Sequence, residues 1–161
     1  VSKICPPDAN IGVIISSHNL SCHQDRLRGF EDKLAELNSD FKILDIQENQ
    51  DRKDDAFRIT LEYCNNYPEL GAIYLTSGGI TGVASALEIA EKTQQIKVIC
   101  HDITTDTVPL LKKGVVDFAL GQSPVLQGYQ LVKTLFEYLV KNICPPDNIE
   151  IPITIATDES L

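Results

Sequence analysis

The sequence has no methionine at any of its 161 positions, and it opens on Val1-Ser2-Lys3-Ile4 with no signal-peptide pattern. It is therefore expected to be a piece of a longer protein. Long apolar runs are also missing, since a stretch such as Val13-Ile14-Ile15 is far shorter than the roughly 20 residues that a bilayer crossing needs. No membrane span is expected. Basic residues are few, 14 against 23 acidic ones, and the formal charge of -9 repels a phosphate backbone. Direct binding of nucleic acid by this chain is thereby disfavoured. Its five cysteines (Cys5, Cys22, Cys64, Cys100, Cys144) are odd in number and include no Cys-x-x-Cys pair, so neither a disulfide framework nor a zinc site is indicated. Reduced thiols in the cytoplasm fit best, and no motif calls for a metal or a cofactor.

What is present is the composition of a soluble globular protein: 43% hydrophobic and 23% charged residues, which excludes a disordered or fibrous class. The length suits one domain with a true core. Residues 11–15 form a continuous β-branched apolar run flanked by prolines and polar residues, the pattern of a buried parallel strand. Over 24–37, Leu27, Phe30, Leu34 and Leu37 recur three and four apart among charged residues, the pattern of an amphipathic helix. The alternation repeats: strand 41–46, helix 52–65, strand 72–75, helix 80–91, strand 97–100, short helix 106–112, strand 115–120, long helix 125–141 and a last strand 149–155. Single helices between strands demand right-handed crossovers, which build an α/β, doubly wound parallel sheet with helices on both faces.

Ile4-Cys5-Pro6-Pro7-Asp8 recurs as Ile143-Cys144-Pro145-Pro146-Asp147. The second copy lies between a helix and a strand, where Pro-Pro stops the helix and fixes an extended exit. The first copy follows a helix that is not in this sequence, or the repetition is chance; the two readings stand level.

In such a sheet the ligand site lies outside the carboxyl ends of the strands. The first end offers Ser16-Ser17-His18-Asn19 and then Arg26, one helical turn before Phe30 and able to reach the strand ends while Leu27 and Phe30 anchor the core. Simple pairing with a neighbouring carboxylate is the plainer reading of Arg26. The third end, Thr76-Ser77-Gly78-Gly79, is a glycine-rich turn feeding a helix, which brings bare N–H groups to a hydroxyl, carboxylate or phosphate, or is only a tight turn. Asp102 leaves the fourth strand aimed at the cleft, where a carboxylate accepts hydrogen bonds from vicinal hydroxyls; Thr104, Thr105 and Asp106 are better placed to cap the next helix. At the fifth end Gln122 offers both a donor and an acceptor, or is a solvent-facing turn residue. No catalytic constellation emerges: the three histidines are scattered, and Cys100 and His101, adjacent on a strand, point to opposite faces. Cys100 reads as a buried structural thiol.

Taken together the segments resemble the effector-binding core of lac-repressor-like (LacI/GalR) bacterial transcription regulators, which is similar to type I periplasmic sugar-binding proteins. The resemblance spans nearly the whole chain and rests on Asp25-Arg26-Leu27-Arg28-Gly29-Phe30, on 72–79 with Gly82-Val83-Ala84, on Val98-Ile99-Cys100-His101-Asp102, and on 116–124 with Gln127-Gly128-Tyr129. It implies that this chain, 1–161, is the C-terminal lobe of a two-lobed binding domain, with an absent N-terminal helix-turn-helix for DNA, homodimers, and a last helix that crosses to the other lobe. It also implies a small-molecule effector, a sugar or sugar-like compound, held by Arg26, Asp102 and Gln122. Ser77 stands where many members carry Asn, a departure that bears on which sugar is bound; Ser17 and His18 complete the candidate set. The expected function is effector binding by a non-enzymatic regulator. The alternatives are a periplasmic sugar-binding protein of a transport system and, further off, a sugar-phosphate enzyme using the glycine-rich turn.

Overall fold

The computed structural model describes residues 4–5, 9–37 and 40–160. In chain order its elements are β1 (Asn10–Ile15), α1 (Ser21–Glu36), β2 (Lys42–Glu48), α2 (Lys53–Asn66), β3 (Leu70–Leu75), α3 (Ile80–Ile89), β4 (Lys97–His101), α4 (Thr107–Lys112), β5 (Phe118–Gly121), α5 (Pro124–Lys141) and β6 (Thr154–Ala156), followed by a single 3-10 turn. One sheet holds all six strands in the order β2-β1-β3-β4-β5-β6. Strands β1 to β5 run parallel, and the order reverses between β1 and β3, which puts a crevice at their carboxyl ends.

Alternation along the strands divides the core into two layers. Ile14, Ile73, Leu75, Val98 and Cys100 face α2 and α3, where Ile59, Tyr63, Val83 and Leu87 are fully buried. Ile11, Val13, Ile15, Ala72, Tyr74 and Ile99 face the other way, against Leu27 and Phe30 of α1. Each of the buried Ile, Val and Leu side chains contributes about 1.5–3 kcal/mol by leaving water, and these two layers hold the strand ends in register.

Two glycines permit the close packing. A Cβ on Gly12 would come within 2.6 Å of the Tyr63 ring, so the glycine lets that ring approach β1, and the Tyr63 hydroxyl then shares its one hydrogen between the carbonyls of Val13 (2.9 Å) and Asp45 (3.2 Å). A Cβ on Gly82 would stand 2.0 Å from the Lys53 carbonyl oxygen. That glycine lets α3 touch the first turn of α2.

The end of the chain departs from expectation. Helix α5 has the predicted extent but buries none of its residues, and the last strand is shorter than 149–155 and antiparallel to β5. The reason is geometric: a parallel strand needs a crossover helix packed over the sheet, whereas α5 leads away from the carboxyl-end rim and the chain returns to that same rim. Thr154 pairs with Gly121 there, and the Ser123 hydroxyl donates to the Pro152 carbonyl at 3.2 Å, tying the outgoing and returning segments together. The return begins at Asn142, whose φ of 55° is left-handed, and runs through Pro145 and Pro146, which cannot extend a helix. Of the earlier copy of this motif, Pro6, Pro7 and Asp8 lie outside the described residues, so the comparison of the two copies stays with the sequence.

Candidate functional site

Arg26 projects from the second turn of α1, held in place because Leu27 beside it is buried in the core. Its guanidinium donates to the Thr76 carbonyl at the end of β3 and, at 2.9 Å, to Oε1 of Gln122 beyond the end of β5. Pairing with a neighbouring carboxylate belongs instead to Arg28, which meets Asp25 at 3.5 Å on the exposed side of the helix. Gln122 passes the contact on, since its Nε2 donates to Oδ1 of Asp102 at 2.6 Å. Residues 96 positions apart thus form one relay across the carboxyl ends of three strands.

Asp102 is free to join that relay because the cap of α4 is made without it. Oγ1 of Thr104 accepts from the backbone N–H groups of Asp106 and Thr107, both at 3.2 Å, while the Thr107 hydroxyl donates to the Asp102 carbonyl at 3.0 Å. Asp102 has φ of 70°, a left-handed conformation that Asp tolerates better than most residues. Left-handed backbone also occurs at Gln50, Asp51, Gly79 and Ser123 on this rim.

Ser77 sits on the other side of the crevice, buried, with its hydroxyl on Oδ1 of Asn49 at 2.9 Å. Asn49, itself fully buried, donates through Nδ2 to the Gly78 carbonyl at 2.7 Å. Asp51 completes the bracing: Oδ1 accepts from the Gly78 N–H at 2.8 Å, and Oδ2 accepts from the Ser16 hydroxyl at 2.7 Å. Burial alone would raise the Asp51 carboxyl, but these two hydrogen bonds together with the nearby His23 and Arg26 outweigh it and hold it below the usual carboxylate range. A cavity of about 380 Å³ is lined among others by Asp51, Ser77, Gly78, His101, Asp102 and Asp106.

Of the six residues predicted from the sequence, Arg26, Gln122 and Asp102 are hydrogen-bonded in series, and Ser77 shares the cavity with Asp102. Ser17 and His18 stand apart, at the end of β1 beside Glu48: the His18 N–H donates to Oε1 of Glu48 at 2.6 Å and the Ser17 hydroxyl lies at 3.5 Å from the same oxygen. His18 enters through its backbone, with its ring exposed. Asn49 and Asp51 were missed, although the rule that strand ends converge applies equally to the end of β2, where Glu48-Asn49-Gln50-Asp51 is as polar as any other end.

Two further groups back the relay. His101 shares its Nε2 with the Tyr74 hydroxyl at 2.8 Å, and its Nδ1 is buried without a hydrogen-bond partner. Burial, with the nearby Arg26 charge second, pushes its pKa down to about 4, so the ring is neutral near pH 7. Arg26 lines a different groove, of about 590 Å³, which His101 shares and which Phe30, Ile99, Phe118 and Ile155 wall. Cys100 faces the opposite layer, where burial lifts its thiol to about 12 and makes it a poor nucleophile. Among the described residues no group of His, Cys, Asp and Glu is arranged to hold a metal ion, and no helix is long and apolar enough to cross a membrane.

The fold is shared with solved sugar-binding proteins. GanP, a glucose-galactose binding protein from Geobacillus stearothermophilus, is 25% identical with a TM-score of 0.88 over 96% of this chain and 55% of its own. AraP, an arabinose binding protein from the same organism, is 24% identical with a TM-score of 0.85 over 95% and 55%. An ABC transporter solute binding protein from Agrobacterium vitis, bound with alpha-D-tagatopyranose, is 23% identical with a TM-score of 0.88 over 95% and 51%. The chain thus spans about half the length of these structures. A search of curated proteins gives no match. The model of the periplasmic binding protein domain matches residues 1–142, and with a six-stranded sheet whose polar rim has the architecture of one such lobe, the chain belongs to the periplasmic binding protein domain family.

Proposed function

We propose that this chain is one lobe of a two-lobed sugar-binding protein that serves a transport system, and that it makes and breaks no covalent bond. The observation that carries this reading is the relay from Arg26 through Gln122 to Asp102, whose Asp102 end lines the same cavity as Ser77 and Gly78. Such a ring of fixed donors and acceptors suits a ligand covered in hydroxyl groups, each of which both donates and accepts. Arg26 donates to a ring or hydroxyl oxygen, and Asp102 accepts from a vicinal pair. The second lobe, contributed by sequence beyond this chain, closes over the open side and buries the sugar. The solute-binding proteins of the same fold support transport over the regulator expected from the resemblance.

One observation favours a second reading, the effector-binding lobe of a cytoplasmic LacI-type regulator whose DNA contacts are made by a separate helix-turn-helix: all five cysteines are free thiols, as reducing surroundings keep them. Both readings place the sugar in the same cleft.

Calorimetric titration of the protein with D-glucose, D-galactose and L-arabinose tests the site. Arg26→Ala and Asp102→Ala are each expected to weaken binding by about 2 kcal/mol or more, roughly 30-fold, because each leaves a ligand hydroxyl and a relay partner unsatisfied. Unchanged affinity in both variants would falsify the assignment.

A further inference from the structure

Resting on that sugar-binding reading, we infer that Asp51 is a specificity-determining residue: its carboxylate occupies the anion-binding turn at the start of α3 and so makes the cleft selective for neutral sugars over phosphorylated ones.

A glycine-rich turn that opens a helix is ordinarily suited to phosphate, because bare N–H groups and the helix dipole both favour an anion. Here Thr76-Ser77-Gly78-Gly79 leads into the ten-residue α3, and Gly79 has the left-handed φ of 100° such a turn uses. Yet the anion already there is the protein's own. Oδ1 of Asp51 takes the Gly78 N–H at 2.8 Å, Oδ2 is held by the Ser16 hydroxyl at 2.7 Å, and the Gly78 carbonyl is taken by Asn49. The carboxylate thus takes the Gly78 N–H from inside the fold and leaves a negative charge at the cavity wall. Two more carboxylates, Asp102 and Asp106, line the same cavity against a single lysine, Lys53. An incoming phosphate would lose the N–H it needs and meet like charge from three directions. A neutral hydroxyl, by contrast, can donate to any of them.

The backbone makes a clean test available. Asp51 has φ of 56°, which glycine adopts without cost, so Asp51→Gly removes the carboxylate without adding strain. Asp51→Asn keeps an oxygen for the Gly78 N–H and removes only the charge. Wild type and both variants, checked for folding by circular dichroism and melting temperature, are titrated with D-galactose, D-glucose, their 6-phosphates and inorganic phosphate. The wild type is expected to bind a neutral sugar at least about 100-fold more tightly than its 6-phosphate, since like-charge juxtaposition costs several kcal/mol, and to show no binding of inorganic phosphate. In Asp51→Gly that preference falls about tenfold or more and inorganic phosphate binding appears, seen as line broadening in phosphorus-31 spectra; Asp51→Asn falls between. A wild type that takes the 6-phosphate as well as the sugar overturns the inference, as does a folded Asp51→Gly with the wild-type preference and no phosphate binding. If no sugar binds the wild type, the sugar-binding reading fails. The gain or absence of phosphate binding in Asp51→Gly then decides the role of Asp51 by itself.

Discussion

Helices α3 and α5 are both rich in apolar residues, yet α3 buries Ile80, Val83, Ala84, Ala86 and Leu87 while α5 buries nothing. In α3, Ile80, Val83 and Leu87 pack into the core with α2 and the sheet, and of its apolar residues only Ile89, in the last turn, is exposed; in α5, Leu131 is 71% exposed, and Val132, Leu135 and Leu139 are likewise open to solvent. The difference teaches that apolar content states only that a surface is to be covered. What covers it is decided by where the chain goes next, and here α5 is carried off the rim by its two connections. Exposed apolar area on this scale marks an interaction surface, either for the rest of a longer chain or for a second copy.

The largest effect that can break this contrast is a matched pair of truncations. Leu87→Ala is expected to cost about 2–5 kcal/mol in urea unfolding, since it leaves a cavity between α3 and the sheet, whereas Leu131→Ala should change stability by no more than about 0.5 kcal/mol. Equal losses would show that α5 is covered in solution as α3 is.

A smaller effect sharpens the contrast from the side of the rim. His101 is held at a pKa of about 4 in the folded chain against 6.5 for an unperturbed histidine. The unfolded chain therefore takes up a proton that the folded chain refuses, and stability falls as pH drops from about 6.5 toward 4, then levels off as the folded ring protonates too. Allowing for solvent screening of a ring that is partly open to water, the loss is about 1–2 kcal/mol. His101→Gln should flatten this dependence in urea titrations between pH 4 and 7; an unaltered slope would assign it to other groups.

The smallest expected effect is self-association. The chain should form a concentration-dependent dimer through α5, weak because only one helix face is available, and Leu131→Glu combined with Leu135→Glu should abolish it. Sedimentation velocity reads this directly. A monomer at high concentration for the unaltered chain would mean that α5 tolerates its exposure.

Much of this architecture was legible beforehand because periodicity is a local property. The run at 11–15 and the spacing of Leu27, Phe30 and Leu34 locate β1 and α1 to within about three residues, and the later elements through α5 follow with similar offsets. Arg26, Ser77, Asp102 and Gln122 could be named from the rule that strand ends converge, and they do share one rim. Ser17 and His18 obey the same rule but turn toward Glu48, since the loop after β1 leans to the neighbouring strand β2. Asn49 and Asp51 lacked a signal of their own: nothing in Asn49-Gln50-Asp51 distinguishes a solvated turn from the brace that fixes the Gly78 turn.

By itself, the sequence determined the alternation of strands and helices, the parallel crossovers and the identity of the polar groups at each strand end, because these depend on residues a few positions apart. Tertiary structure alone decided that Arg26 reaches Gln122 rather than Asp25, that Asp51 fills the turn before α3, and that β6 runs antiparallel beside an uncovered α5. Those outcomes depend on contacts between residues 27 to 96 positions apart, whose geometry exists only once the two core layers have set the strands side by side.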